Sequence, residues 1–443
     1  MKLPQHISLC VEMLENAGFA TYAVGGCVRD FLLGLTPHDY DLCTAATPEQ
    51  IKQSFSAFPL VTAGEKHGTV GVIVEHETVE ITTFRSEGGY MDGRHPDWVE
   101  FVTDIEADLS RRDFTVNAMA WSPTRGLCDP FGGQDDLQKK RLRAVGDPAA
   151  RFQEDSLRIL RGVRFAVRFG LTPEENTLHA MLAQRELMKQ LARERVFDEL
   201  CKLLPLVDAT HLQTFAPILA QVIPELAPTV GFDQRNHHHA YDLFTHIAHV
   251  TAALPPVLHL RWAGLLHDIG KVTTFTVDDR GCGHFYGHDK AGAELADTVL
   301  LRLKAPTALR ERVVRLIGLH MTWLSEDRQL LRRRLSRWGE ETVWDVLALQ
   351  EADMGGKGVD KPEEMAMFPR IRGLLQDILA EKGCLSLKDL AVSGNDLIGI
   401  GFAPGPALGK TLERLLELVL SDRLPNEKDA LLAAAKEIQE DAL

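Results

Sequence analysis

At 443 residues the chain is long for one hydrophobic core and predicts roughly two to four compact units. Its 45% hydrophobic and 25% charged content is that of an ordinary globular protein, and no run approaches the roughly 20 apolar residues of a membrane span. A formal net charge of −14 disfavours unspecific coating of nucleic acid, while seven scattered cysteines, never in a CxxC pair, argue against a disulfide framework or thiolate zinc site and for a reducing cytoplasm.

The opening MKLPQHISLCVEMLENAGF carries two glutamates and alternates polar with apolar residues, which predicts a first helix rather than a signal. In YAVGGCVRDFLLGLTPHDYDL, a strand, a Gly-Gly turn, a short helix and a second strand are expected in that order. Asp39 and Asp41 sit at i and i+2, which on a strand project to one face. Two acceptor-only carboxylates that close call for a cation, and Mg²⁺ prefers such ligands alongside phosphates. Gly25 and Gly26 would let backbone approach those phosphates and Arg29 would follow from the next turn, so the segment predicts a two-metal phosphoryl-transfer site. TVGVIVEHETVEITTF alternates as a β-hairpin. On its second strand Glu80 is a candidate third carboxylate, the alternative being an exposed strand glutamate.

GGCVRD followed by DYD resembles the head motif of class II RNA nucleotidyltransferases, the group within the DNA polymerase β superfamily that holds bacterial tRNA CCA-adding enzymes and poly(A) polymerases. Downstream segments fit the same family order. The Glu87, Gly88, Gly89, Tyr90, Asp92 and Arg94 stretch resembles its flexible loop, associated with the step from C to A addition, at full length. RRDFTVNAMA is expected to open a helix that Asp113 and Thr115 can cap. The resemblance instead implies that Arg112 contacts the triphosphate and Asp113 a ribose hydroxyl. DPFGGQDDL is similar to the family's hinge, though a plain turn explains it too.

From about residue 146 strand signals fade and helical periodicity dominates. In FQEDSLRILRGVRFAVRFG, Leu157, Leu160, Val163 and Ala166 recur at helical spacing and should pack inward. Asp155 and Arg158 are expected on one helix face, with Arg161 and Arg164 continuing along it. A structural ion pair is one reading. The other is base recognition: a carboxylate accepts from the exocyclic amine of cytosine or adenine, a guanidinium donates to their ring acceptors, and uracil and guanine mismatch both. The resemblance to the family's EDxxR motif implies the second reading, with Ser156 standing where many relatives carry Pro. Arg161 and Arg164 would contact phosphate or orient the readers. ERVFDELCKLL resembles the last neck motif, in which Glu194, Arg195 and Glu199 would brace that helix. Residues 139–170 hold nine Lys/Arg against three Asp/Glu, and residues 301–340 ten against four. These are either solvated helix faces or an RNA-binding groove in an acidic chain.

Between residues 232 and 355, His246, the doublet His267–Asp268, and Asp353 look like an HD-superfamily metal phosphohydrolase domain. Lys271, His288 and His320 are candidates for phosphate or a second metal. Imidazole and carboxylate ligands suit Mn²⁺, Ni²⁺, Co²⁺, Fe²⁺ or Mg²⁺. Some multifunctional CCA-adding proteins carry a similar domain with phosphatase and 2′,3′-cyclic phosphodiesterase activity, and a scaffold role is the alternative. His237–His239 fits that pattern poorly. The GFAPGPALG turn and following helix resemble the C-terminal, tRNA-gripping part of bacterial CCA-adding enzymes.

The expected architecture is α+β: a polymerase β-type head (1–145), an all-α neck (146–205), an HD-type helical domain (232–355) and a helical tail (370–443). The function implied is untemplated addition or repair of the tRNA 3′ CCA end from CTP and ATP. Asp39, Asp41 and Glu80 would be catalytic with Mg²⁺, and Gly25, Gly26, Arg29, Arg112, Asp113, Asp155, Arg158, Arg161 and Arg164 would bind nucleotide. His246, His267, Asp268 and Asp353 would hold a further divalent metal. The implied partner is tRNA, with neither DNA nor membrane, and the oligomeric state stays open. The alternatives are a poly(A) polymerase or A-adding-only enzyme and, in another class, an HD phosphohydrolase with an RNA-binding head.

Overall fold

The computed structural model describes residues 1–89 and 98–440. Two compact units divide the chain: residues 1–207 with 214–227 and 302–304, and residues 208–213, 228–301 and 305–443.

The first unit opens on helix α1 (Gln5–Asn16), which buries Ile7, Cys10, Val11 and Leu14 at helical spacing. Strand β1 (Thr21–Val24), buried at every residue, leads through the Gly-Gly turn into helix α2 (Gly26–Leu32), and strand β2 (Asp41–Thr44) returns antiparallel beside β1. Helix α3 (Pro48–Ser54), closed by a Thr47/Gln50 capping box, precedes strand β3 (Leu60–Val61). The expected hairpin is β4 (Thr69–Val74) and β5 (Glu77–Thr83). Its turn residues Glu75 and His76 both have positive φ, the primed-turn geometry that matches strand twist. β5 also runs parallel to β2.

Strands β6 (Arg85–Gly88) and β7 (Trp98–Phe101) form a separate pair, followed by helix α4 (Ile105–Ser110). Tyr90, Asp92 and Arg94 of the resembling loop lie outside the described residues. Strands β8 (Ala120–Ser122) and β9 (Gly126–Cys128) complete a seven-stranded sheet of order β3-β4-β5-β2-β1-β8-β9.

The expected helix over 111–120 is absent. Thr115–Asn117 makes a single 3-10 turn and the chain then enters β8. Tertiary partners override the local capping signal: Thr115 donates its N–H to the Arg143 carbonyl and its hydroxyl to Asp136, and Phe114 bridges Ala144.

Helix α5 (Gly133–Gln138) and the short strand β10 (Arg141–Leu142) lead into the neck. There helix α6 (Pro148–Glu154) and helix α7 (Leu157–Phe169) are separate. The break corrects the expectation of one helix carrying Asp155 and Arg158 on one face. Asp155 is extended, with φ −146° and ψ 101°, and accepts the Leu157 N–H at the start of α7. Leu157, Leu160, Val163 and Ala166 are buried as their spacing predicts. Strand β11 (Thr172–Pro173), helix α8 (Glu175–Ala183) and helix α9 (Arg193–Leu203) follow, and α7 packs against α9.

Among its described residues the second unit is helical apart from a two-residue strand pair, Thr276–Val277 with Gly283–His284. Its helices include Leu243–Ala253, Leu258–Leu266, His288–Arg302, Thr307–Leu319 and Glu340–Gly355. Pro406–Leu420, the helix after the GFAPGPALG turn, packs into an apolar cluster with Leu397, Phe402 and Leu431. Among the described residues no helix is long and apolar enough to cross a membrane.

Candidate active sites

Sheet register assembles the head site. Val24, the last residue of β1, pairs with Asp41, so the Gly25–Gly26 turn leaves the sheet beside that carboxylate. Leu42 pairs with Ile81 in the parallel ladder, which brings Glu80 alongside Asp41. Asp39 precedes the strand rather than lying on it. All three carboxylates line one cavity of about 580 Å³. The protein packed around Asp41 raises its carboxyl above the ordinary value although its outer side is open; Arg112 opposes the rise, and Glu80 and Asp39 add to it. A bound cation relieves that repulsion.

Gly25 has φ +71°, and a Cβ there would stand 2.8 Å from Arg112 Nη1. The turn is therefore restricted to glycine both by its backbone and by the guanidinium beside it. On its other side opens a cavity of about 430 Å³ lined by Gly25, Gly26, Asp41 and eight arginines, among them Arg112, Arg158, Arg161 and Arg195. Only two further acids, Asp113 and Asp155, line it. The basic segment 139–170 thus contributes four arginines to a concave site rather than only to a solvated face. Such an excess of guanidinium groups suits a triphosphate.

The individual side chains are held firmly. Arg29 is buried, donating Nε and Nη2 to Asp30 Oδ1 at 2.8 and 2.6 Å and Nη1 to Asn117. It therefore contributes charge to the cavity wall rather than a free fork. Arg112 donates to Asp108 at 3.3 Å. Asp113 is buried and accepts from the Phe114 N–H, Asn117 and Arg161, the last at 2.7 Å. Burial by itself would raise the Asp113 carboxyl, but Arg161, Arg158 and Asn117 outweigh it and bring it down to about 2.

The two expected base readers do not pair with each other through their side chains. Asp155 is gripped by Arg195, and Arg158 donates to Glu154 at 2.7 Å and to the Arg151 and Arg111 carbonyls. Arg164 is buried against Glu199 at 2.6 Å, so Arg195 and Glu199 of α9 do brace the neck. Glu194 does not; it pairs with Lys304. Sequence reasoning missed Arg111, Arg168 and Asn117 as cavity residues, and Glu154 as the partner of Arg158. The i,i+4 spacing of Glu154 and Arg158 was the available signal.

In the second unit, His246, His267, Asp268 and Asp353 are all buried, with ligand atoms within 4.8 Å of one another. Asp268, His288 and His320 form a second such set. Gly270 makes the approach possible: a Cβ there would fall 2.4 Å from the His288 carbonyl. Burial by itself would raise Asp268, but His267 and Lys271 hold it well below the ordinary carboxylate range. Burial pushes His320 down to about 4, leaving a neutral imidazole suited to a metal. His239, whose spacing in the sequence fits the HD pattern poorly, lines the same cavity, and its ring lies 5.0 Å from that of His246.

The polymerase-type sheet, the paired cavities meeting at Asp41 and the arginine wall define a nucleotidyltransferase. Residues 21–143 match the family model described as Poly A polymerase head domain, residues 170–211 that of an RNA and SrmB-binding site of polymerase A, and residues 290–435 tRNA nucleotidyltransferase domain 2. CCA-adding enzymes of Latilactobacillus sakei and Levilactobacillus brevis are each 34% identical, over 96% and 98% of both chains respectively. The Bacillus stearothermophilus CCA-adding enzyme, solved with CTP, superposes with a TM-score of 0.73 at 27% identity, covering 100% of this chain and 99% of that one. The Thermotoga maritima enzyme shares the fold, with a TM-score of 0.62 at 21% identity, covering 99% and 96%. The chain belongs to the family of CCA-adding enzymes. That membership carries with it divalent-metal-dependent nucleotidyl transfer.

Proposed function

We propose that this protein builds or repairs the 3′-terminal CCA of tRNA from CTP and ATP without a nucleic-acid template. The observation that carries the reading is the position of Asp41, which lines both the arginine-walled cavity and the cavity shared by Asp39 and Glu80. A nucleoside triphosphate in the first and an RNA 3′ end in the second would meet at that carboxylate. The curated relatives are named for CCA addition, and the homologous Bacillus enzyme was solved with CTP; neither favours A-only addition or poly(A) synthesis.

Asp39 and Asp41, with Glu80 beside them, have the oxygen donors that fit Mg²⁺. Two such ions would lower the pKa of the RNA 3′-hydroxyl and neutralise charge on the triphosphate and departing pyrophosphate. The turn at Gly25 and Gly26 gives phosphate oxygens access to backbone, and Arg112 and Arg29 supply compensating charge. Asp113 would orient the ribose through the network it shares with Asn117 and Arg161. Asp155 would accept from an exocyclic amine while Arg158 donates to a ring acceptor, admitting C and A. Arg161 and Arg164 would keep α7 in register against Asp113 and Glu199.

We assign residues 1–145 to the catalytic head, 146–205 to base selection and RNA contact, 232–355 to an HD-type metal domain using His246, His267, Asp268 and Asp353, and 370–443 to a tRNA-binding tail. The test is incubation of a tRNA lacking its CCA end with CTP and ATP, followed by sequencing of the product. A product ending in CCA is expected. An extended A tract, or no extension, would overturn the reading.

A further inference from the structure

The short hairpin of the second unit, Thr276–Val277 with Gly283–His284, carries three metal-ligating side chains outside the two buried sets described above. Val277 pairs with Gly283, which makes Asp278 the cross-strand neighbour of Cys282, and the Asp278 N–H donates to the Cys282 carbonyl at 3.0 Å. Cys282 and His284 flank Gly283, and residues two apart on an extended chain project to one side. One ligand atom from each of Asp278, Cys282 and His284 lies within 4.8 Å of the other two. Adjacent ligand atoms of a tetrahedral zinc site stand about 3.3–3.6 Å apart, a spacing that small side-chain rotations reach from here.

The hairpin holds these groups in place by contacts of its own. Asp278 Oδ1 accepts the Arg280 and Cys282 N–H groups at 3.0 and 2.9 Å, which fixes the carboxylate and leaves Oδ2 turned to His284 Nε2 at 3.1 Å. Gly283, between the other two ligands, is pressed against the chain at Gln234. A Cβ on it would fall 2.3 Å from the Gln234 carbonyl oxygen, and its N–H donates to the Arg235 carbonyl at 2.8 Å. The His284 ring lies against that of Tyr286, with centroids 5.4 Å apart and planes 9° from parallel. The partly exposed Cys282 thiol is the loosest member, with the Gly283 carbonyl at 4.0 Å, the limit of an S–H contact. An Asp–His pair at a hairpin end is by itself an ordinary hydrogen bond. A thiol on the same face turns the pair into a ligand set.

The metal class follows from the donors. Thiolate and imidazole suit Zn²⁺, whereas Mg²⁺ takes oxygen ligands. A single thiolate in such a set needs no CxxC spacing, so the cysteine pattern of the chain gives no sign of it. We propose that Asp278, Cys282 and His284 bind one zinc-class divalent cation, with a fourth position open to water. The ion staples a strand pair of two residues a side, which is too short to be stable through its own backbone bonds. None of the three ligands belongs to either buried set around Asp268, and the site is independent of nucleotidyl transfer by the head.

The test uses the full chain, stripped of metal by chelation, kept reduced by a phosphine and titrated with Co²⁺. Cobalt takes the place of Zn²⁺ and reports a thiolate ligand through a near-ultraviolet charge-transfer band. Co²⁺ on the buried histidines, or on Asp39 and Asp41, has no thiolate and is silent there. The expected band saturates with one thiolate-bound Co²⁺ per chain, is displaced by excess Zn²⁺ and survives a large excess of Mg²⁺. Cys282→Ser should abolish it, and Cys128→Ser, at another partly exposed cysteine, should leave it intact. Asp278→Ala and His284→Ala should each weaken Co²⁺ affinity by at least about tenfold, the smallest loss usual when even the outer support of a metal ligand is removed. No band, or a band that persists in Cys282→Ser, overturns the site; a band lost to Mg²⁺ overturns the metal class. Zn²⁺ should also slow alkylation of Cys282 by about tenfold or more, since a coordinated thiolate is not free to attack, while Cys128 reacts at an unchanged rate. Alkylation of Cys282 that ignores Zn²⁺ overturns the proposal, and this reading on the parent chain decides alone should a variant fail to fold.

Discussion

Arg195 grips Asp155 with both nitrogens of its fork, Nη2 to Oδ2 at 2.8 Å and Nη1 to Oδ1 at 3.3 Å. Asp155 stands outside any helix, so its direction depends on this pair and on the Leu157 N–H. The carboxylate assigned to base selection is therefore aimed by a residue on another helix.

Asp155→Ala should lower discrimination for CTP and ATP over UTP and GTP by on the order of 10- to 100-fold, because each mismatched donor or acceptor it penalised costs about 1–3 kcal/mol. Arg195→Ala should relax the same discrimination by a smaller factor, about tenfold, by freeing the carboxylate to rotate. Arg195→Lys should recover only part of it, since an ammonium does not reproduce the fork. Single-turnover incorporation of the four nucleotides measures both. Selectivity that is unchanged in Asp155→Ala would remove the base-reading role from this residue.

Asp41→Ala should reduce incorporation by more than about a thousandfold while tRNA affinity stays within about twofold, because on the proposed reading the carboxylate meets only the reacting 3′ end and not the rest of the tRNA. The check is a filter-binding isotherm beside the incorporation rate. Turnover near the parent rate with full metal occupancy would contradict the assignment.

Much of this site is legible in the amino-acid sequence itself. Asp39, Asp41 and the Gly-Gly turn are close in sequence and one short helix joins two neighbouring strands, so their convergence is local, although Asp39 precedes β2 and the period of a strand does not place it. The Asp155–Arg195 pair spans 40 residues and two helices, and no local pattern specifies it. The helix expected after Arg112 failed for a related reason: Thr115 finds Asp136 and Arg143, whose positions depend on how α5 and β10 pack. In the second unit the HD doublet stands out because adjacent His and Asp after an apolar run are uncommon. The division of Asp268 between two histidine pairs is visible only when four separate helix ends converge.

Gly25→Ala should impair triphosphate binding more than folding. The added methyl must displace Arg112 and adopt φ +71° with ψ −121°, outside the left-handed helical well, at a cost on the order of 1–3 kcal/mol for alanine. A rise in KM for both CTP and ATP, with a melting temperature lowered by only a few degrees, is expected. An unchanged KM for both nucleotides would show that the turn does not meet the phosphates.

Asp113 and Arg161 link the head and neck motifs through an ion pair whose carboxylate is buried, and its pH behaviour has a definite sign. The folded Asp113 carboxyl is held at about 2, below its ordinary value of 3.8. Its contribution to stability is therefore fully present above pH 3.8 and is lost as the pH falls through about 2. Arg161→Met removes the main counter-charge and leaves a buried carboxylate whose pKa must rise. The variant should be destabilised by about 2 kcal/mol at neutral pH, discounted from the usual cost of an orphaned buried charge because Arg161 is partly exposed. Its stability should improve on mild acidification, where the parent's Asp113 contribution does not yet change, because protonation now relieves the unpaired charge. In an Asp113→Asn background the same Arg161 substitution should cost little and lose its pH dependence. Urea unfolding of the four proteins between neutral and mildly acidic pH measures the cycle. Equal costs of Arg161→Met in the two backgrounds would show that the stabilisation comes from packing of the arginine stem rather than from its pairing with Asp113.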